Sequence, residues 1–153
     1  MGSGRHVDAN SGRKTASIAG KRRGMASIGK KNTKPELIVR RELTRLGVRY
    51  RIHVTTLPGC PDVVSHSRRL VIFVHGCLWH LHDGCALVRI PKSLPEYWPK
   101  KLTGNKERDR QHAAKLHSDG WRVEVIWECE TRDEHALKLR LDQILSATRA
   151  ATA

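Results

Sequence analysis

The chain has 153 residues, with 29 lysines and arginines against 15 acidic residues and a formal net charge of +14 at pH 7. Hydrophobic residues make up 39% of the sequence, which is enough for one folded domain and excludes a wholly disordered chain. The positive excess indicates a polyanionic partner, because each phosphate neutralised by a basic side chain releases condensed counterions. No segment approaches the ~18 apolar residues of a membrane-spanning helix, so nucleic acid is favoured over a membrane.

The first 31 residues hold eight lysines and arginines and one acid, among many Gly, Ser and Ala. We expect residues 1–24 to form a basic arm that is disordered alone and can settle on DNA. No apolar run follows the early basic residues, which disfavours a secretory signal. We therefore expect a cytoplasmic, nucleoid-associated protein whose four cysteines are not a disulfide framework.

The first predicted element is a helix that Thr33 caps, with Glu36 completing a capping box and Gly47 ending the helix. Strands are predicted at 62–64 and 70–74, the second being a continuous apolar run of the buried kind. Residues 76–104 have no clear periodicity and predict an ordered but irregular insertion.

The second half of the chain continues this alternation. Asn105 is predicted to cap a helix that ends at Gly120, residues 121–127 form a strand, and Thr131 caps the last helix. The order of elements predicts an α/β sandwich, a central mixed β-sheet flanked by helices on both faces. We expect the folded domain to span residues 25–146, with 147–153 as a C-terminal tail.

A set of metal-ligating side chains surrounds the insertion: Cys77, His82, Cys85 and Cys129. Three thiolates and an imidazole make a tetrahedral set for structural zinc, which would order an otherwise irregular stretch. The alternative is ordinary buried cysteines and a surface histidine. Cys60 stands among prolines, so we interpret it as a free thiol.

A second cluster is predicted at one end of the sheet. Asp62 opens a short strand and His75 ends the next one, so a hairpin brings them together, with His80 close behind. Phosphodiester hydrolysis needs an anionic ligand for Mg²⁺ and groups that activate water and protonate the leaving oxygen. Asp62 suits the first role, and His75 and His80 can share the others. A Pro-Asp pair alone is more often just a turn.

Several segments together resemble the very-short-patch repair (Vsr) endonucleases over about residues 22–130. They are residues 32–36 (NTKPE), 57–62 (LPGCPD), 72–80 (IFVHGCLWH), 105–109 (NKERD), 120–123 (GWRV) and 127–129 (WEC).

The resemblance implies a restriction-endonuclease-like fold, with structural Zn²⁺ on the four ligands above and catalytic Mg²⁺ at Asp62 and the Val74 carbonyl. It implies that His75 and His80 surround the scissile phosphate and that Glu36 is an acid near the active site. It further implies a monomer that nicks double-stranded DNA 5′ to the thymine of a T:G mismatch left by deaminated 5-methylcytosine. A MutL-type repair protein is the implied helper.

The resemblance also assigns DNA contacts to Met25, Trp79, Trp98 and Asn105, the first three as wedges in the base stack. Wedging costs least where pairing is already poor. The alternative for either tryptophan is packing within the insertion. Leu78 stands where the family carries an aromatic residue, which leaves room for a site-specific nicking, restriction or homing-type nuclease. A non-catalytic, zinc-stabilised DNA-binding module is the other alternative.

Overall fold

A computed structural model describes residues 31–150, with side chains through residue 148. The predicted arm 1–24, Met25 and residues 151–153 lie outside the described residues. The described elements are α1 (Lys34–Arg45), β1 (Arg51–Ile52), β2 (Val63–Ser65), β3 (Leu70–His75), α2 (Tyr97–Ser118), β4 (Arg122–Trp127) and α3 (Glu134–Ala150). Short 3-10 turns occupy His66–Arg68 and Glu128–Arg132. None of the helices described is long and apolar enough to cross a membrane.

The four strands form one sheet in the order β1-β2-β3-β4. The first three are antiparallel neighbours, whereas β3 and β4 run parallel, so the predicted mixed sheet is confirmed. The insertion and α2 make the crossover between the two parallel strands. Because His75 pairs with Trp127 in that register, the carboxyl ends of β3 and β4 meet at one end of the sheet.

The sheet has a hydrophobic core on each face. Strand β3 alternates, with Leu70 and Ile72 in one core and Val71 and Phe73 in the other, as the two-residue strand period requires. The first core packs on α1 and α3 and also contains Val39, Leu43, Leu137, Leu141 and Ile144. The second packs on α2 and also contains Val64, Leu116 and Trp121. Helices therefore cover both faces, as predicted.

Glycines end α1 and α2 where the sequence predicts. Gly47 has φ +70° and Gly120 has φ +80°, a left-handed conformation that glycine adopts without steric cost. The amides of Val48 and Trp121 then reach back to the carbonyls of Leu43 and Leu116, at 3.0 and 2.9 Å.

The predicted starts of the last two helices are wrong. Helix α2 begins at Tyr97, so Asn105 lies inside it and does not cap it. Its extra turns are stabilised by tertiary packing, since Trp98 and Leu102 are buried. The cap of α3 is Asp133, whose carboxylate accepts hydrogen bonds from the amides of His135 and Ala136 at 2.9 and 3.0 Å. Helix α3 continues to Ala150, beyond the domain boundary predicted at 146.

Candidate active site and metal centre

The side chains of Cys77, His82, Cys85 and Cys129 converge, and their ligand atoms all lie within 4.8 Å of one another. The Nδ1 atom of His82 is 3.6 Å from the sulfur of Cys77 and 3.4 Å from that of Cys129. A tetrahedral zinc with its usual bond lengths requires a sulfur-to-nitrogen separation of about 3.6 Å. The cluster therefore fits Zn²⁺ in both donor chemistry and size.

The electrostatics of this cluster also favour a cation. Burial raises the pKa of Cys77 to about 12 and also raises that of Cys129, so these thiols resist ionisation on their own. A bound divalent metal is what would hold such thiols as thiolates. The Glu128 carboxylate accepts a 3.3 Å hydrogen bond from the Cys77 amide and fixes the start of the loop. Cys60 is a free thiol outside the cluster, as predicted.

Asp62 lies just before β2, beside the end of β3. Its carboxylate accepts a 2.7 Å hydrogen bond from the Val74 amide, which keeps Val74 next to it. Burial and the neighbouring Glu36 carboxylate act to raise the pKa of Asp62, and despite the Val74 hydrogen bond and the Arg40 charge it reaches about 6. A half-buried carboxylate of this kind gains from a cation, so the donor set fits a divalent metal.

Glu36 points inward from the first turn of α1 and is only 4% exposed. Its carboxylate accepts a 2.8 Å bond from Arg40, and Nε2 of His53 lies 3.9 Å away. Ligand atoms of Glu36, His53 and Asp62 all fall within 4.8 Å of one another. The predicted acid therefore stands beside Asp62, and His53 joins them although the sequence did not single it out.

His75 and His80 stack face to face, with ring centroids 3.8 Å apart and an interplanar angle of 5°. Burial, reinforced by His80, lowers the pKa of His75 to about 4, so His75 is neutral at pH 7. The Nδ1 atom of His80 is 2.5 Å from a carboxylate oxygen of Asp109. Burial acts to raise the pKa of Asp109, but the hydrogen bond and the histidine charges outweigh it and the net shift is downward. Asp109 thus orients the His80 ring.

Sequence reasoning gave Asp109 no role, although its spacing holds the information. The residues on the inward face of α2 recur every three or four positions, as in any amphipathic helix. They are Trp98, Leu102, Asn105, Asp109, His112 and Leu116. Two polar residues of that face form hydrogen bonds with the insertion. Asn105 donates a 3.0 Å bond to the Trp79 carbonyl, and Asp109, one turn later, pairs with His80.

Trp127 separates the two clusters. Its indole stacks on His82 with centroids 4.2 Å apart and an interplanar angle of 2°. Its edge faces His75 with centroids 5.4 Å apart. The parallel register of β3 and β4 causes this arrangement, because it puts Trp127 opposite His75. The candidate zinc ligand and the candidate active site therefore share one aromatic wall.

The two predicted wedge residues within the described residues lie near each other. The rings of Trp79 and Trp98 have centroids 6.0 Å apart, and Trp98 is 7% exposed whereas Trp79 is partly exposed. The indole N–H of Trp98 is buried and finds no hydrogen-bond partner among residues 31–148. Asn105 touches the wedge region through Trp79 and does not itself lie on an open surface.

Gly59→Ala should lower thermal stability and slow the reaction at Asp62, because the loop before Asp62 rests on α2 at this glycine. Gly59 has φ +74°, and a Cβ there would lie 2.9 Å from Nδ1 of His112. Melting temperature and single-turnover cleavage measure the effect. Gly47→Ala is the matched control, since it carries the same backbone strain at φ +70° with no atom within 4 Å. Equal losses in both variants would show that the contact with His112 is unimportant.

The chain is similar in sequence to known proteins. The family model described as "DNA mismatch endonuclease Vsr" matches residues 16–87. The chain is 50% identical over 121 residues to the type II nicking enzyme V.XorIIP of Xanthomonas oryzae pv. oryzae, covering 79% of this chain and 88% of that protein. It is 39% identical over 115 residues to the DNA mismatch endonuclease Vsr of Escherichia coli K12, covering 75% of this chain and 73% of that one.

The fold has a solved counterpart. The catalytic domain of the homing endonuclease I-Bth0305I superposes with a TM-score of 0.53 at 20% identity, covering 76% of this chain and 98% of that domain. This likeness confirms the predicted nuclease fold. Taken with the two relatives above, of which this chain covers well over two thirds, it leads to one assignment: the chain belongs to the Vsr family and is a DNA endonuclease.

Proposed function

We propose that the chain nicks one strand of duplex DNA 5′ to the thymine of a T:G mismatch, in a reaction that requires Mg²⁺. The main supporting observation is that Asp62 binds the Val74 amide, next in sequence to His75, so that it lies at the same end of the sheet as the His75, His80 and Asp109 cluster. The E. coli relative is a mismatch endonuclease by name, which supports the choice of substrate. In the cell such a nick would start very-short-patch repair of deaminated 5-methylcytosine in the cytoplasm.

Asp62 would hold Mg²⁺, with the Val74 carbonyl as a further ligand and Glu36 nearby. The bound metal supplies charge neutralisation at the scissile phosphate and a more acidic water. The chain's own part is to orient and move protons. His75 is neutral at pH 7, so it can accept a hydrogen bond or a proton from the attacking water.

His80 is the better candidate for the opposite role. The Asp109 carboxylate holds Nδ1 of His80 and leaves the other ring nitrogen to serve the substrate. A histidine held in this way can donate a proton to the leaving 3′-oxygen. This assignment separates two roles that the sequence left open between His75 and His80.

Zn²⁺ on the Cys77 cluster would be structural, since four protein ligands leave no position for substrate. It would hold the insertion that carries Trp79. We further propose that the protein acts as a monomer and that a MutL-type repair protein assists it. The excess of basic side chains, +14 overall, would supply the sequence-independent phosphate contacts.

A nicking enzyme that reads a fully paired site is the second candidate, because a 50% identical relative is named only a type II nicking enzyme. Leu78 in the wedge region fits this alternative, since it replaces the aromatic residue expected there.

A nicking assay distinguishes the two. Purified full chain with Mg²⁺ is given matched duplexes that differ only in a T:G or T:A pair, each strand labelled separately. We expect one cut, on the thymine strand and 5′ to that base, only in the T:G duplex. Equal cutting of the paired duplex would favour the site-specific enzyme, and no cutting of either would reject both.

Trp79→Ala and Trp98→Ala should weaken binding to T:G duplex by ~1–3 kcal/mol for each lost stacking contact. Binding to paired duplex should hardly change, because its base stack stays closed. Trp98→Ala should also lower the melting temperature, since the Trp98 side chain is buried. Its indole N–H has no hydrogen-bond partner among the described residues, which supports a rearrangement on DNA that supplies one. The measurement is the ratio of the two dissociation constants at one salt concentration.

Trp121→Ala is the control for these variants. Trp121 is buried in the core on the α2 face, immediately before β4 and at the opposite end of that strand from Trp127. Trp121→Ala should lower the melting temperature and weaken binding to the T:G and the paired duplex by the same factor. If Trp79→Ala and Trp98→Ala behave in the same way, the wedge assignment is wrong.

A further inference from the structure

The side chains around Asp62 include a nitrogen donor. His53 follows β1 directly and has φ +48°, a left-handed conformation that few non-glycine residues adopt. Its side chain is 14% exposed, and its Nε2 atom is 3.9 Å from the Glu36 carboxylate. With Asp62 it completes a set of three ligand atoms within 4.8 Å of one another. Backbone strain of this kind concentrates at functional positions.

The donor set matters for the choice of metal. Mg²⁺ demands oxygen ligands in near-ideal octahedral geometry and keeps much of its water. An imidazole nitrogen adds affinity for transition metals and little for magnesium. Two carboxylates with one imidazole therefore suit Mn²⁺ better than two carboxylates alone would.

Arg40 binds the same atoms that a metal would need. Its guanidinium nitrogen lies 2.8 Å from the Glu36 carboxylate and 3.0 Å from Nε2 of His53. Its positive charge also acts to lower the pKa of Asp62, the third residue of the set. A cation that engages Glu36 and His53 must displace both contacts of Arg40, which makes the guanidinium a built-in competitor.

We propose that His53 is a nitrogen ligand in the metal site of Glu36 and Asp62, that it raises the affinity of the site for Mn²⁺ without excluding Mg²⁺, and that Arg40 fills the position when metal is absent. This rests on the proposed function only in taking Asp62 as the catalytic metal ligand. It assigns metal choice to His53, directly after β1, and metal exchange to Arg40 of α1.

Metal binding without DNA tests the proposal on the zinc-loaded full chain. Free Mn²⁺ is followed by its electron paramagnetic resonance signal, and Mg²⁺ by its competition for the bound Mn²⁺. His53→Gln should weaken Mn²⁺ binding about tenfold or more and Mg²⁺ binding by less than about twofold. Arg40→Gln should instead tighten Mn²⁺ binding. Melting temperatures establish that both variants are folded.

Asp109→Asn is the control, because His75, His80 and Asp109 form another possible metal cluster. It should leave Mn²⁺ affinity unchanged. Mn²⁺ binding that falls with Asp109→Asn but not with His53→Gln would overturn the proposal, as would equal losses of Mn²⁺ and Mg²⁺ in His53→Gln. If Arg40→Gln leaves Mn²⁺ binding unchanged or weakens it, the proposal that the metal displaces Arg40 is overturned. These results are independent of nicking, so a chain that binds Mn²⁺ as expected but cuts no T:G duplex fails only the proposed function.

Discussion

Asp62→Asn should abolish nicking and at the same time stabilise the metal-free protein at pH 8. The asparagine keeps an oxygen that can accept the 2.7 Å bond from the Val74 amide, but it loses the charge that would hold the metal. Loss of that charge should slow single-turnover cleavage in Mg²⁺ on the order of a thousandfold or more. Activity within about tenfold of the original would remove Asp62 from the mechanism.

The stability gain follows from the direction of the pKa shift. The pKa of Asp62 is about 6 in the folded chain against an ordinary 3.8, mainly because of burial, so folding takes up a proton between these pH values. The ionised Asp62 carboxylate lowers the free energy of unfolding. This destabilisation is absent below pH 3.8, grows between pH 3.8 and 6, and is complete above pH 6. It amounts to about 3 kcal/mol, which Asp62→Asn should recover as a melting temperature several degrees higher.

Two comparisons make this result specific. The gain should shrink as the pH is lowered from 8 towards 4, and Mg²⁺ should stabilise the original chain but not the variant. Asp119→Asn, at the exposed end of α2, is the matched control and should change neither nicking nor the pH dependence of melting. A uniform gain at every pH would mean that the charge of Asp62 is not its source.

Cys85→Ala should remove the zinc and leave a chain that is unfolded at temperatures where the original is folded. The side chain is only partly buried, so the variant loses little packing. What it loses is a metal ligand. Because zinc binds only the folded chain at a site of this kind, the free energy of zinc binding stabilises the fold. We expect metal analysis to fall from about one zinc per chain towards none, and the melting temperature to drop on the order of 10 °C or more.

Cys60→Ala is the internal control, since Cys60 is a partly buried cysteine outside the cluster. It should retain its zinc and its melting temperature. A Cys85→Ala chain that melts like Cys60→Ala would contradict the structural zinc site. Retention of zinc in Cys85→Ala would instead point to a different fourth ligand.

The fold was predictable wherever a local pattern decided the structure. The apolar run of β3 is buried on both faces, and Gly47 and Gly120 end their helices, because these features depend on residues close in sequence. The start of α2 was not predictable from caps, since Pro99 and Gly104 are poor helix formers and burial of Trp98 and Leu102 decides it. There the three- and four-residue spacing of the buried face was the better guide.

The candidate site divides in the same way. Asp62 and His75 were expected together because one hairpin joins them, and the cysteines because zinc geometry selects their number and type. His53 was missed because only tertiary contacts with Glu36 and Arg40 of α1 bring it to the site, with no spacing in the sequence to indicate them. Asp109 could have been placed on the inward face of α2 from its spacing, but its pairing with His80 depends on how the insertion folds onto that helix.

Trp127 sets the order in which the protein should lose its properties when zinc is withdrawn. Its indole touches His82 on one side and His75 on the other. A chelator that removes zinc from His82 should first disturb the contacts of Trp127 with His82 and His75, while the two cores on the sheet faces remain packed. Below the melting temperature of the zinc-free chain, cleavage should therefore decay before the far-ultraviolet circular dichroism signal does, which gives an intermediate that is folded yet inactive. Substitutions in the zinc loop consequently carry a catalytic penalty even when the protein still folds.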